Sequence, residues 1–150
     1  MRATVTPSLS LNVIVSARET STQKAGFPTM LVAGGAWNSA PMTLSNGKYS
    51  GAIPGQAAAS VVQFYVEGVD GLGTSSTYPA AGQKSRALLR VHDGAPDNSP
   101  LDDFFMIMTA ADSTFLHQPT NALSNDLLGT TIVSRGQVFY DVGVRLKGSE

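Results

Sequence analysis

Residues 60–69 read S-V-V-Q-F-Y-V-E-G-V, and this run decides the fold class. Val62, Phe64 and Val66 alternate with Gln63, Tyr65 and Glu67, the period of two that sends successive side chains to opposite faces of a strand. The run is therefore predicted as a central strand. Downstream, Asp70-Gly71-Leu72-Gly73 supplies a turn, a Ser/Thr-rich stretch leads to Tyr78-Pro79, and Ala87-Leu88-Leu89-Arg90-Val91 returns as another strand. Upstream, Pro41-Met42-Thr43-Leu44 and residues 49–53 flank Asn46-Gly47, the dipeptide preferred where both turn residues need positive φ, which predicts a hairpin. Pro28 is read as closing a loop before a short strand over residues 29–33, which Gly34-Gly35 turns toward Ala36-Trp37-Asn38. Leu9, Leu11, Val13 and Val15 alternate as a first strand. About seven short strands in about 90 residues predict an immunoglobulin/fibronectin-like β-sandwich with Trp37 in its core.

Composition agrees with a mainly β chain. Of 150 residues, 42% are apolar and 14% charged, with 15 Gly and 8 Pro, a turn-rich profile far from that of a helical bundle. The net charge of −1 gives no electrostatic footprint for nucleic acid or an anionic membrane. The charge is unevenly spread: residues 1–95 hold seven Lys/Arg against four Asp/Glu, and residues 96–150 hold three against seven. With no Cys and only His92 and His117, thiolate and histidine-based metal sites are excluded. No apolar run approaches the roughly 20 residues of a helical membrane span, and the N-terminus lacks the order of a signal peptide.

Residues 92–100, H-D-G-A-P-D-N-S-P, break every periodicity with turn formers, so a linker is expected, with a boundary near residue 95. Beyond it, residues 104–108 read as an apolar strand. Thr109 is expected to cap a short helix with Asp112 in its first turn, ending before Pro119. A polar turn or second short helix over residues 121–126, a strand over 129–133 and a turn at Ser134-Arg135-Gly136 follow. In the last strand Val138, Tyr140, Val142, Val144 and Leu146 are expected on one face and Phe139, Asp141, Arg145 and Lys147 on the other. Three strands and a helix make a thin core, so residues 96–150 are expected to be an incomplete α+β segment.

The strings F-F-M-I-M-T-A-A-D-S-T-F-L-H-Q-P-T-N-A-L-S-N-D-L-L-G-T-T-I-V at residues 104–133 and V-F-Y-D-V-G-V-R-L-K-G-S-E at residues 138–150 resemble the opening of a CotH domain, the spore-coat protein kinase-like family. Residues 61–79 and 85–94 resemble the β-sandwich segment that precedes such domains in large secreted bacterial proteins. The resemblance implies a secreted or cell-surface parent, an atypical kinase using ATP and a divalent metal, whose metal-holding acidic residues lie beyond the strings matched here. This chain alone is thus expected to be a non-catalytic N-terminal portion, with the downstream remainder of the CotH-like domain as its partner. Phosphoryl transfer depends on positioned phosphates, metal and an acidic residue near the nucleophile.

Candidate chemistry is sparse. Arg145, Lys147 and Gly148 at the end of the last strand form the candidate nucleotide-phosphate contact of an intact parent, set against an exposed strand end. Asp112 near His117 suggests a general base, set against a helix-end histidine. Asp93, Asp97, Asp102 and Asp103 could ligate calcium at a module boundary, set against solvated turns. Asp141 is expected to pair with Arg145. Trp37, Tyr49, Tyr65 and Tyr78 could form a flat polysaccharide platform, the basis of an alternative reading as a free-standing adhesion or carbohydrate-binding β module.

Overall fold

A computed structural model describes residues 11–15, 23–32, 35–92, 94, 104–122 and 124–147. The chain is mainly β and its sheets are antiparallel. The strands are β1 (Leu11–Val15), β2 (Gln23–Val32), β3 (Trp37–Ser39), β4 (Thr43–Ser45), β5 (Lys48–Ile53), β6 (Val61–Asp70), β7 (Ser75–Tyr78), β8 (Leu88–Arg90), β9 (Phe104–Ile107), β10 (Leu128–Ser134) and β11 (Gln137–Val144). A 3-10 turn at Gly82–Lys84 precedes β8, and helices α1 (Ala110–Leu116) and α2 (Pro119–Ala122) lie between β9 and β10. No described helix is long and apolar enough to cross a membrane.

Strand β6 is central, as its pattern predicts. β2 pairs along its length with Val32 opposite Val62 and Gln23 opposite Asp70, while β8 and β7 share the other edge in tandem. Both of its faces are covered, since Gln63 and Tyr65 are as buried as Val62, Phe64 and Val66. The predicted hairpin is β4–β5, closed by Asn46 at φ 51° and Gly47 at φ 71°. The turn after β6 is organised by Asp70, whose Oδ1 accepts from the backbone N–H groups of Leu72 at 2.9 Å and Thr74 at 2.8 Å.

Two elements exceed the expectation. β7 forms from the Ser/Thr-rich stretch, and β2 runs through Pro28 instead of starting after it. β3 reaches only Ser39, opposite Thr29, so Pro28 lies just past the end of that pairing, where a missing N–H costs least. Ala33, the expected end of the strand over residues 29–33, Gly34 and the strand start at residues 9–10 fall outside the described residues.

Ile53 of β5, Val62 and Phe64 of β6, Ala87 and Val91 form the buried core, with Leu89 and Tyr140 packed against it. Tyr140 belongs to β11, and its ring meets Phe64 edge to face at 5.7 Å between centroids. The C-terminal sheet, in order β11–β10–β9, therefore places an aromatic ring in the core built by the preceding sheets.

The face assignment of the last strand is corrected by a bulge. Ile132 pairs with Phe139 and Thr130 with Val142, so three steps along β11 oppose two along β10. Phe139 and Val142 consequently share a face, and the alternation running from Val138 to Leu146 does not hold across the strand. Asp141 takes the strain, with φ 57°.

Candidate functional site

The densest polar chemistry in the described residues is a joint between residues 85–88 and the C-terminal segment. Gln63, the polar residue in the middle of β6, donates through Nε2 to the carbonyls of Ser85 at 2.5 Å and Gln83 at 3.1 Å, and Phe64 N–H donates to Ala87 O at 3.0 Å. The segment is thereby fixed to the central strand. Its other side faces β10, β11 and α1. Asp141 on the bulge accepts from Ser85 Oγ at 3.0 Å and Arg86 N–H at 2.5 Å. Thr131 Oγ1 donates to Arg86 O and accepts from Leu88 N–H at 2.9 Å.

The Arg86 side chain completes the joint. Its Nε donates to Asp112 Oδ2 at 2.6 Å and its Nη2 to Oδ1 at 3.2 Å, a two-pronged pair that orients both groups. Gly129 makes room for the stem, since a Cβ there would lie 2.8 Å from Arg86 Cγ. Thr109 caps α1 as expected, accepting from Asp112 N–H at 3.1 Å and donating to Asp112 Oδ2 at 2.8 Å. Ser85, Thr130, Thr131 and Leu88 are fully buried, and no buried side-chain polar atom among the described residues lacks a partner. Burial raises the Tyr140 phenol above its usual pKa, and the nearby Tyr78 phenol adds to the shift.

These bonds redistribute the candidate residues. Asp112 is held by Arg86 and Thr109, while His117 Nδ1 meets Ser113 O at 2.7 Å on the exposed end of α1, so no bond joins the two as a base dyad. Asp141 binds residues 85–86, whereas Arg145 donates from Nη1 to Asn125 Oδ1. Arg145 and Lys147 both stand exposed just beyond β11, and Gly148 lies outside the described residues. Of the four acidic residues considered for calcium, all lie outside the described residues, and no cluster of three metal-ligating side chains occurs among those described.

The aromatic candidates separate. Trp37 is half-buried and meets buried Tyr65 edge to face at 5.2 Å. Tyr78 pairs with Val66, which lies on the opposite face of β6 from Tyr65, and Tyr49 belongs to β5 in another sheet. The four rings thus make no common platform.

The hairpin end of the C-terminal sheet is apolar and open. Cross-strand rows join Phe105, Val133 and Val138, then Met106, Ile132 and Phe139, on alternate faces. Phe104, Phe105, Met106, Val138 and Phe139 are all exposed, Phe104 to 62%. The middle of the same sheet is sealed: Thr130, Thr131 and Ile132 of β10 are buried, so at the hairpin end it is the flanking side chains of β9 and β11 that stand open.

Sequence reasoning missed Arg86, Thr131 and the structural use of Asp141. The available signal was polarity out of place: Asp141 within V-F-Y-D-V-G-V and Thr130-Thr131 within L-G-T-T-I-V. No protein-family model, no curated protein and no solved structure matches the chain.

Proposed function

We propose that this chain is a non-catalytic structural portion of a CotH-like secreted or cell-surface protein. An immunoglobulin/fibronectin-like sandwich serves as accessory or spacer, and residues 96–150 begin the kinase-like domain. The observation that carries this reading is the two-ended character of the sheet β9–β10–β11. Away from the hairpin, the sheet is bonded to residues 85–88 by the buried Leu88–Thr131 bond and the part-buried Ser85–Asp141 bond, and its hairpin end offers Phe104, Met106 and Phe139 to a further layer. Such a sheet spaces whatever packs on its open end at a fixed distance and orientation from the accessory sheets. The remainder of the CotH-like domain is the partner that the resemblance supplies.

In this role the chain presents rather than transforms. The two carboxylates nearest the joint, Asp112 and Asp141, are committed to Arg86 and Ser85 and do structural work. Arg145 and Lys147 are the cations that would neutralise nucleotide phosphates in the intact parent, where ATP and a divalent metal would be bound.

Calorimetric titration with ATP and Mg²⁺, beside the Lys147→Ala variant, tests the proposal. No saturable heat is expected from either protein. Saturable ATP binding that disappears in Lys147→Ala overturns the non-catalytic reading. Retention on insoluble polysaccharide that is lost in a still-folded Trp37→Ala variant overturns it in favour of a carbohydrate-binding module.

A further inference from the structure

We propose that residues 85–88 interlock the central sheet with residues 104–147, so that the two segments unfold as one cooperative unit despite the turn-rich stretch between them. The inference is independent of the CotH-like reading, because it uses only bonds within this chain. Three contacts of different kind converge. Tyr140 enters the core beside Phe64, Asp141 closes on the Ser85 hydroxyl and the Arg86 N–H, and Asp112 holds the Arg86 guanidinium from α1.

Each contact is costly to break from either side. Opening β10 alone would strand Leu88 N–H and Arg86 O, both served by Thr131 Oγ1. Opening β11 alone would leave Ser85, which is fully buried, without its carboxylate partner and would withdraw Tyr140 from the core. Loosening β6 would release Ser85 O and Ala87 O, and with them the platform on which β10 and β11 sit. Neither segment has a low-cost open state of its own, which is the condition for cooperative opening.

Amide hydrogen exchange on the full chain tests this in both directions. Tyr65 lies on the face of β6 away from Phe64 and Tyr140, beside Gln63, and accepts from Gln83 Nε2 at 3.4 Å. Tyr65→Leu therefore perturbs the five-stranded sheet and its hold on residues 83–85 without removing any of the bonds to residues 104–147 described above. Its expected effect is faster exchange at the slowest amides of β6 and of β10 by a common factor, on the order of tenfold for a typical core substitution. Acceleration in β6 with unchanged exchange in β10 overturns the proposal. Asp141→Ala makes the reciprocal test with Trp37 fluorescence, which reports β3 and its neighbour Tyr65. The Trp37 unfolding midpoint is expected to fall together with protection in β10. A loss of protection confined to residues 128–144, with the Trp37 transition unmoved, overturns the interlock. Should one variant fail to fold, the other decides.

Discussion

Asp141 shows how one residue is held in an unfavourable conformation by what it bonds. A non-glycine residue at φ 57° costs about 1–2 kcal/mol, and here the carboxylate recovers that cost by accepting from Ser85 Oγ and Arg86 N–H. Asp141→Asn keeps a residue that tolerates positive φ and one acceptor oxygen, so a loss of about 1 kcal/mol is expected. Asp141→Ala keeps the strain and removes both acceptors, for about 2–4 kcal/mol. Urea unfolding measures the order, and an alanine variant as stable as the parent would sink the account. The neighbouring Tyr140 sets a pH dependence. Its phenol is raised by burial, so the folded state keeps a proton that the unfolded chain releases near its ordinary pKa of 10.0. The stability from this group is complete below pH 10.0 and is lost as pH rises through the higher folded value. Tyr140→Phe retains the ring against Phe64 and removes the ionisation, so its stability should fall less steeply above that pH. Parallel alkaline arms for the two proteins would show that Tyr140 is not responsible.

At the scale of elements, the short pieces stand on their caps and turns. Helix α1 has seven residues, too few to persist on propensity alone, so its Thr109 cap and the link from Thr109 to Asp112 matter more than they would in a longer helix. Thr109→Ala should cost about 1–2 kcal/mol and weaken the hold of Asp112 on Arg86, visible as faster exchange at the Ser113 amide. In the β4–β5 hairpin a Cβ on Gly47 would meet nothing, but its φ of 71° penalises any L side chain. Gly47→Ala should therefore cost about 1 kcal/mol through backbone strain alone, measured by thermal unfolding; a neutral result would mean the turn adjusts its type. These are the features the sequence discloses, because each depends on residues within a few positions: Asn46-Gly47 for the hairpin, Thr109 with Asp112 for the cap, and alternation for β6. The bulge at Asp141, the passage of β2 through Pro28 and the formation of β7 are settled by which strand lies alongside. No local pattern carries that information.

For the whole molecule, the decisive contacts are long in sequence. Ser85 and Asp141 are separated by 56 positions, so a chain that reads as two pieces around a turn-rich stretch closes on itself through pairings that periodicity cannot report. Beside the misplaced polarity of Asp141 and Thr130-Thr131, the charge imbalance was a further hint, since a basic first segment and an acidic second one meet in the ion pair of Arg86 with Asp112. The remaining asymmetry is apolar. Phe104, Met106 and Phe139 stand on one face of the C-terminal sheet at 62%, 46% and 47% exposure, and apolar side chains beside an edge strand favour association. Phe104 and Phe139 lie outside the buried core, but Phe139 is about half covered and sits across from buried Ile132, so replacing Phe104 with Lys and Phe139 with Thr should cost no more than about 1–2 kcal/mol. The same double variant should scatter less light at high protein concentration and bind less of an apolar fluorescent dye. Equal dye binding with intact stability would place the accessible apolar surface elsewhere. A large loss of stability would instead mean that the hairpin end of this sheet is packed, and the two-ended character on which the spacer reading rests would be gone.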